Sequence, residues 1–125
     1  MNNEQVRARK YSRRWGYALD LSNFQGMNVS IDIIMPGEKI AAHYHKKQTE
    51  LAVILNGECL VNDQRAERYS VFIWNPGEIH EFVNMGINAL ELLCVTTPFY
   101  DSDDEHYDCL PSQGCSGRDQ GLLNR

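Results

Sequence analysis

Two histidines one residue apart, His43 and His45, head the most informative stretch of the sequence, which runs from Gly37 to Gly57 as Gly-Glu-Lys-Ile-Ala-Ala-His-Tyr-His-Lys-Lys-Gln-Thr-Glu-Leu-Ala-Val-Ile-Leu-Asn-Gly. Alternate residues of a strand point to one face, so the two imidazoles share a side. Lys46 to Thr49 is a polar break of the length that joins neighbouring antiparallel strands, and Glu50 follows it at the head of an apolar run, Leu51 to Leu55. Folding back at that break returns Glu50 to the histidines. A fourth candidate, His80, opens the stretch His80-Glu81-Phe82-Val83-Asn84 after a Pro76-Gly77 turn. Imidazoles and a carboxylate converging on one face suit a single borderline divalent cation: iron(II), manganese, zinc or nickel. Ligation needs neutral imidazoles and an ionised carboxylate, so affinity is expected to fall as pH drops through the histidine range.

The elements that must position these residues read as short strands. Tyr17 to Ser22 is the first. Met27, Val29, Ile31 and Ile33 then alternate with Asn28, Ser30 and Asp32, a half-buried strand ending at Pro36-Gly37. His43 and His45 lie on the next strand, and Glu50 to Leu55 forms another. Asn56-Gly57 signals a hairpin into Cys59-Leu60-Val61. Asn62-Asp63-Gln64 reads as a turn, Arg65 to Arg68 as a polar connection, and Tyr69 to Trp74, His80 to Asn84 and Ala89 to Thr96 as the remaining strands. Turn signals at such regular intervals indicate an all-β sandwich or barrel, and no helix is expected.

The 125 residues, 42% hydrophobic, 10% aromatic and 23% charged, make one ordinary globular domain. No run is long enough to span a membrane, and the polar start Met1-Asn2-Asn3-Glu4 does not resemble a signal sequence, so a cytoplasmic location is the default. A net charge of −5 argues against a nucleic-acid partner. The charge is uneven: Arg7, Arg9, Lys10, Arg13 and Arg14 make residues 1–15 a basic arm, while Asp101, Asp103, Asp104, Glu105 and Asp108 make residues 99–125 an acidic, polar tail. Both read as solvated termini flanking a barrel over residues 16–98, with the end of the tail poorly ordered. Cys59 and Cys94 read as small buried residues. Cys109 and Cys115 either pair or stay free, and in a cytoplasmic protein are expected reduced.

Gly37, His43, His45, Glu50 and Gly57 stand at the spacing of the first motif of the cupin superfamily, and Pro76, Gly77, His80 and Asn84 resemble the second. The second departs from its pattern at Tyr69, where a glycine is usual, and at Asn75, where a proline is. The resemblance covers roughly residues 16–98. It implies a small double-stranded β-helix, or jelly-roll, barrel with His43, His45, Glu50 and His80 as metal ligands. In some enzymes of the family the glutamate matching Glu50 is instead a base, and spacing cannot separate these roles.

Met35, Ile54, Phe72, Trp74, Phe82 and Asn84 are the pocket candidates beyond the metal shell, with plain packing the competing account and Asn84 also fitted to hold its turn. Glu91, a carboxylate within the apolar run Leu90 to Val95, joins Glu50 as a candidate catalytic residue, although solvent is its plainer destination. The resemblance implies a mononuclear metalloenzyme acting on a small, polar, carbohydrate-like molecule: a dioxygenase, or an isomerase, epimerase or lyase. The alternative is a non-catalytic barrel that binds or senses a sugar-like ligand. A homodimer fits either, since pairing shields exposed strand edges.

Overall fold

Alternation of side chains and frequent turn residues resolve, in the computed structural model, into two antiparallel sheets; the structure describes residues 8–98 and 100–110. The strands are β1 (Arg9–Arg13), β2 (Gly16–Phe24), β3 (Met27–Ile34), β4 (Lys39–Tyr44), β5 (Thr49–Asn56), β6 (Cys59–Val61), β7 (Gln64–Ala66), β8 (Val71–Trp74), β9 (His80–Asn84), β10 (Leu90–Thr97) and β11 (His106–Tyr107). One sheet runs β1-β2-β3-β10-β5-β8 and the other β11-β4-β9-β6-β7. Apolar side chains of both, among them Ile34, Ile54, Phe82, Leu90 and Leu92, pack into one core between the sheets. The all-β double-sheet architecture expected from the sequence is the one observed.

Four expectations are corrected. Part of the basic arm is a strand, β1, paired along its length with β2; its side chains are exposed, so no apolar alternation announced it, and backbone pairing alone places it. Part of the acidic tail is also ordered, as a 3₁₀ turn over Ser102–Asp104 followed by β11 against β4, with Cys109 and Leu110 buried. Cys109 is disulfide-bonded rather than reduced and is buried in a folded segment, while Cys59 and Cys94 are free; Cys115 lies outside the described residues. Within the supposed polar connection, Gln64 to Ala66 pairs with β6 through a two-residue loop, Asn62 and Asp63, both at positive φ (49° and 65°), the turn chemistry that a tight hairpin demands.

Strand β3 is half-buried as expected, but its polar row faces inward. Asn28, Ser30 and Asp32 line the interior cavity. Val29 and Ile31 point outward, in register with Val95 and Leu93 of β10, which in turn face Leu51 and Val53 of β5, and these Ile73 and Val71 of β8. The outer face of the larger sheet is therefore apolar across four strands, and Val71 and Ile73 are each 58% exposed.

Strand β8 begins two residues later than the sequence suggests because Tyr69 sits in the left-handed region, φ +71°. Its N–H donates to the Ile54 carbonyl at 2.7 Å, which fixes the turn, and its ring is 63% exposed. Left-handed backbone costs an L side chain about 1–2 kcal/mol and glycine nothing, against which glycine's greater chain entropy weighs about 0.5–1 kcal/mol. Tyr69→Gly should thus raise stability by about 0.5–1 kcal/mol, read as a higher urea midpoint at unchanged slope. A lower midpoint would show instead that the contact between the ring and the Arg68 guanidinium, 4.7 Å apart, outweighs the strain.

Candidate metal centre

His43 and His80 are direct cross-strand partners on β4 and β9, with ring centroids 4.3 Å apart. His45 lies just beyond the end of β4, where the Gly77 N–H donates to its carbonyl at 2.7 Å and so ties the Pro76-Gly77 turn to it. Glu50 comes from β5 of the opposite sheet. Each of the four offers a ligand atom, and these atoms lie within 4.8 Å of one another.

The imidazoles are oriented by their far nitrogens. His43 Nδ1 is 2.7 Å from the Ala41 carbonyl, His45 Nδ1 2.7 Å from the Asp104 carbonyl, and His80 Nδ1 3.1 Å from the Glu78 carbonyl. A carbonyl only accepts, so each Nδ1 carries the proton and each neutral ring turns the lone pair of Nε2 inward. His45 Nε2, His80 Nε2 and Glu50 Oε2 are buried without a hydrogen-bond partner. His80 Nε2 lies only 2.8 Å from Glu50 Oε2. Two lone-pair atoms this close need positive charge between them, a proton or a shared cation, and adjacent ligands of an ion with bonds of about 2.1 Å stand about 3 Å apart. The donor set fits a divalent metal ion on this chain's own geometry. Trp74, stacked on His80 at 4.4 Å and 13°, backs that ring from the core side.

Electrostatics favour the ligating forms. Burial, then the neighbouring His80, pushes the His43 pKa down to about 4, so its lone pair stays free of protons through the ordinary histidine range. Burial works against the Glu50 charge, but contact with His80 and the fields of His43 and His45 outweigh it and hold the carboxyl below its ordinary value.

A cavity of about 670 Å³ opens beside the cluster and is lined by His43, His45 and Glu50. Its far wall is the inward polar row of β3, continued by Asp20 of β2 and by Cys94 and Thr96 of β10; its mouth carries Arg13, Tyr100, Glu105 and Tyr107. Asn28 Nδ2 donates to Asp20 Oδ1 at 3.0 Å, and the Cys94 thiol to Asp32 Oδ2 at 3.4 Å. Burial, then the charge of Glu50, raises the Asp32 pKa to about 7, so near neutrality this carboxyl is in part a hydrogen-bond donor.

Of the six expected pocket residues, Phe82 alone lines this cavity. Trp74 stands behind His80, and Phe72 stacks on Trp74 at 5.5 Å. Ile54 is fully buried in the core, and Met35 is 45% exposed on the loop after β3. Asn84 is structural: its Nδ2 donates to the carbonyls of Ile34 and Asn88, and its Oδ1 accepts from Gly86 N–H. Glu91 is not brought to the site, because it alternates along β10 with buried Leu90 and Leu92 and takes the outward parity. The polar wall was visible in the sequence as alternation, which shows that two faces differ and not which is inside. Glu105 and Asp104 had no signal beyond their charge.

No sequence match to a curated protein was found. In three dimensions the chain is similar to the capsular polysaccharide assembling protein CapF of Staphylococcus aureus (TM-score 0.72, 16% identity, 84% of this chain and 35% of that one). It is also similar to a sugar phosphate isomerase of the cupin superfamily from Silicibacter pomeroyi (0.59, 22%, 65% and 58%). A third likeness is to an uncharacterized double-stranded β-helix protein from Klebsiella pneumoniae (0.59, 19%, 78% and 75%). The chain thus spans about a third of the length of CapF and somewhat over half that of the isomerase. These likenesses are of fold. The cupin domain model matches residues 30–96, more than half of the chain and the whole of the four-residue cluster, and the chain belongs to the cupin family.

Proposed function

We propose that the protein is a mononuclear metal-dependent cupin acting on a small, polar, carbohydrate-like molecule, with His43, His45, Glu50 and His80 as the ligands of one divalent ion. The observation that carries this reading is the convergence of three inward-turned Nε2 lone pairs and an ionised carboxylate within 4.8 Å of one another, with His45 Nε2, His80 Nε2 and Glu50 Oε2 buried. Bound there, the ion supplies a Lewis acid for an isomerase, epimerase or lyase reaction or, as iron, a centre for dioxygen chemistry.

The chain's own residues supply the rest. The Asp20, Asn28, Ser30, Asp32 and Thr96 wall offers hydroxyl, amide and carboxyl groups to the hydroxyls of a ligand, and the cavity volume lies in the range of small-molecule sites. Glu105 accepts from the Tyr107 hydroxyl at 3.0 Å and reaches within 3.6 Å of His43 Nε2, a position that supports a role in exchanging a proton with a molecule bound beside the cluster. Two proteins of similar fold, a capsular polysaccharide assembling protein and a sugar phosphate isomerase, support the carbohydrate-like substrate class. Among the described residues no helix is long and apolar enough to cross a membrane. The apolar outer face of the larger sheet supports a homodimer in which that face is covered by a second copy.

Protein purified without a nickel column or histidine tag should contain about one equivalent of metal by elemental mass spectrometry, and a His43→Ala/His80→Ala variant almost none. Iron would direct assays to oxygen consumption, manganese or zinc to isomerisation and elimination, with turnover lost in His45→Ala. Absence of metal from both proteins after reconstitution with iron, manganese and zinc would leave a ligand-binding barrel. For the dimer, sedimentation should give twice the chain mass for the native protein and the single mass for Val71→Lys/Ile73→Lys, with metal content unchanged. A native monomer at micromolar concentration would reject the pairing.

A further inference from the structure

The three candidate ligand histidines do not depend on equal support. His43 and His80 find their Nδ1 acceptors two residues back on the local chain, at Ala41 and Glu78. His45 lies past the last residue of β4, and its Nδ1 acceptor, the Asp104 carbonyl, is 59 residues further on. Residue 104 also lies beyond the 30–96 stretch matched by the cupin domain.

Asp104 grips the same loop a second time through its side chain. The carboxylate is 4% exposed and accepts from the backbone N–H of Lys46 and of Lys47, each at 2.8 Å. It also accepts from Gln48 Nε2 at 3.3 Å and stands 3.2 Å from His106 Nε2. The segment holding Asp104 is itself fixed at both ends. Gln48 Nε2 donates to the Asp101 carbonyl at 3.0 Å, and β11 pairs His106 with Tyr44 and Tyr107 with His43.

We propose that Asp104 is a positioning residue for the metal centre, its carboxylate pinning the loop that carries His45 and its carbonyl fixing the tautomer that turns His45 Nε2 inward. This rests on the reading of the cluster as a metal site. Partners of this kind, one bond removed from the metal, change affinity by about 10–100-fold when removed.

The test titrates metal-free protein with Zn²⁺ against a chromophoric chelator, well below the melting temperature of every variant. Asp104→Ala should bind about 10–100-fold more weakly than the native chain. Asp104→Asn, which keeps one acceptor oxygen, should fall between them and carries the test if the alanine variant does not fold. Asp103→Ala, an exposed neighbour, should bind as the native protein does. In parallel, ¹⁵N NMR of the metal-free protein should show the Nδ1–H tautomer for His45, giving way to a tautomer mixture in Asp104→Ala; a merely structural loss would lower the melting temperature and leave this signature and the affinity intact. Native affinity with a native tautomer in Asp104→Ala and Asp104→Asn would overturn the proposal alone. Failure of the native chain to bind Zn²⁺ would overturn the metal reading, and this proposal with it.

Discussion

Three imidazoles donate their Nδ1 protons to backbone carbonyls, and the rest of the site depends on that constraint. A neutral histidine has one donor and one acceptor nitrogen, and a fixed donor leaves the acceptor nowhere to point but inward. The cross-strand pairing of His43 with His80 then sets the separation of two lone pairs, and Glu50 brings the charge from the facing sheet. Burial, which would destroy a site made of charged groups, favours this one, since it keeps His43 neutral.

The larger sheet turns the usual arrangement of a half-buried strand inside out. Its polar row lines a cavity and its apolar row faces outward, so the segment that looks most ordinary in sequence is the one that shapes the ligand wall. A packed hydrophobic interior and a polar cavity share one barrel and abut directly: Leu92 of the core pairs with Asp32 of the cavity wall across β10 and β3, and Phe82 and Cys94 belong to both.

Much of this was legible before any coordinates. The types and spacing of His43, His45, Glu50 and His80 identified the cluster, and turn residues at regular intervals identified the strands. What escaped did so for definite reasons. The strand at Arg9–Arg13 is an edge whose exposed side chains leave no periodic signature. The segment from Asp101 to Tyr107 acts through backbone groups and one buried carboxylate, so its composition reads as solvated charge. Glu91 drew notice as a carboxylate in an apolar run, but alternation with Leu90 and Leu92 takes it outward. The tyrosine at position 69, a departure from the motif, occupies the left-handed backbone that explains why glycine is usual there.

The stacking of Trp74 on His80 has an optical side. An indole lying 4.4 Å from an imidazole and nearly parallel to it senses the charge on that ring, since a proton or a cation at Nε2 withdraws electron density from the stacked pair. The chain's other tryptophan is Trp15, which lines the cavity. Were the histidine cluster to take up an ion, the emission of Trp74 would report it without a label, by the light the native protein itself gives off.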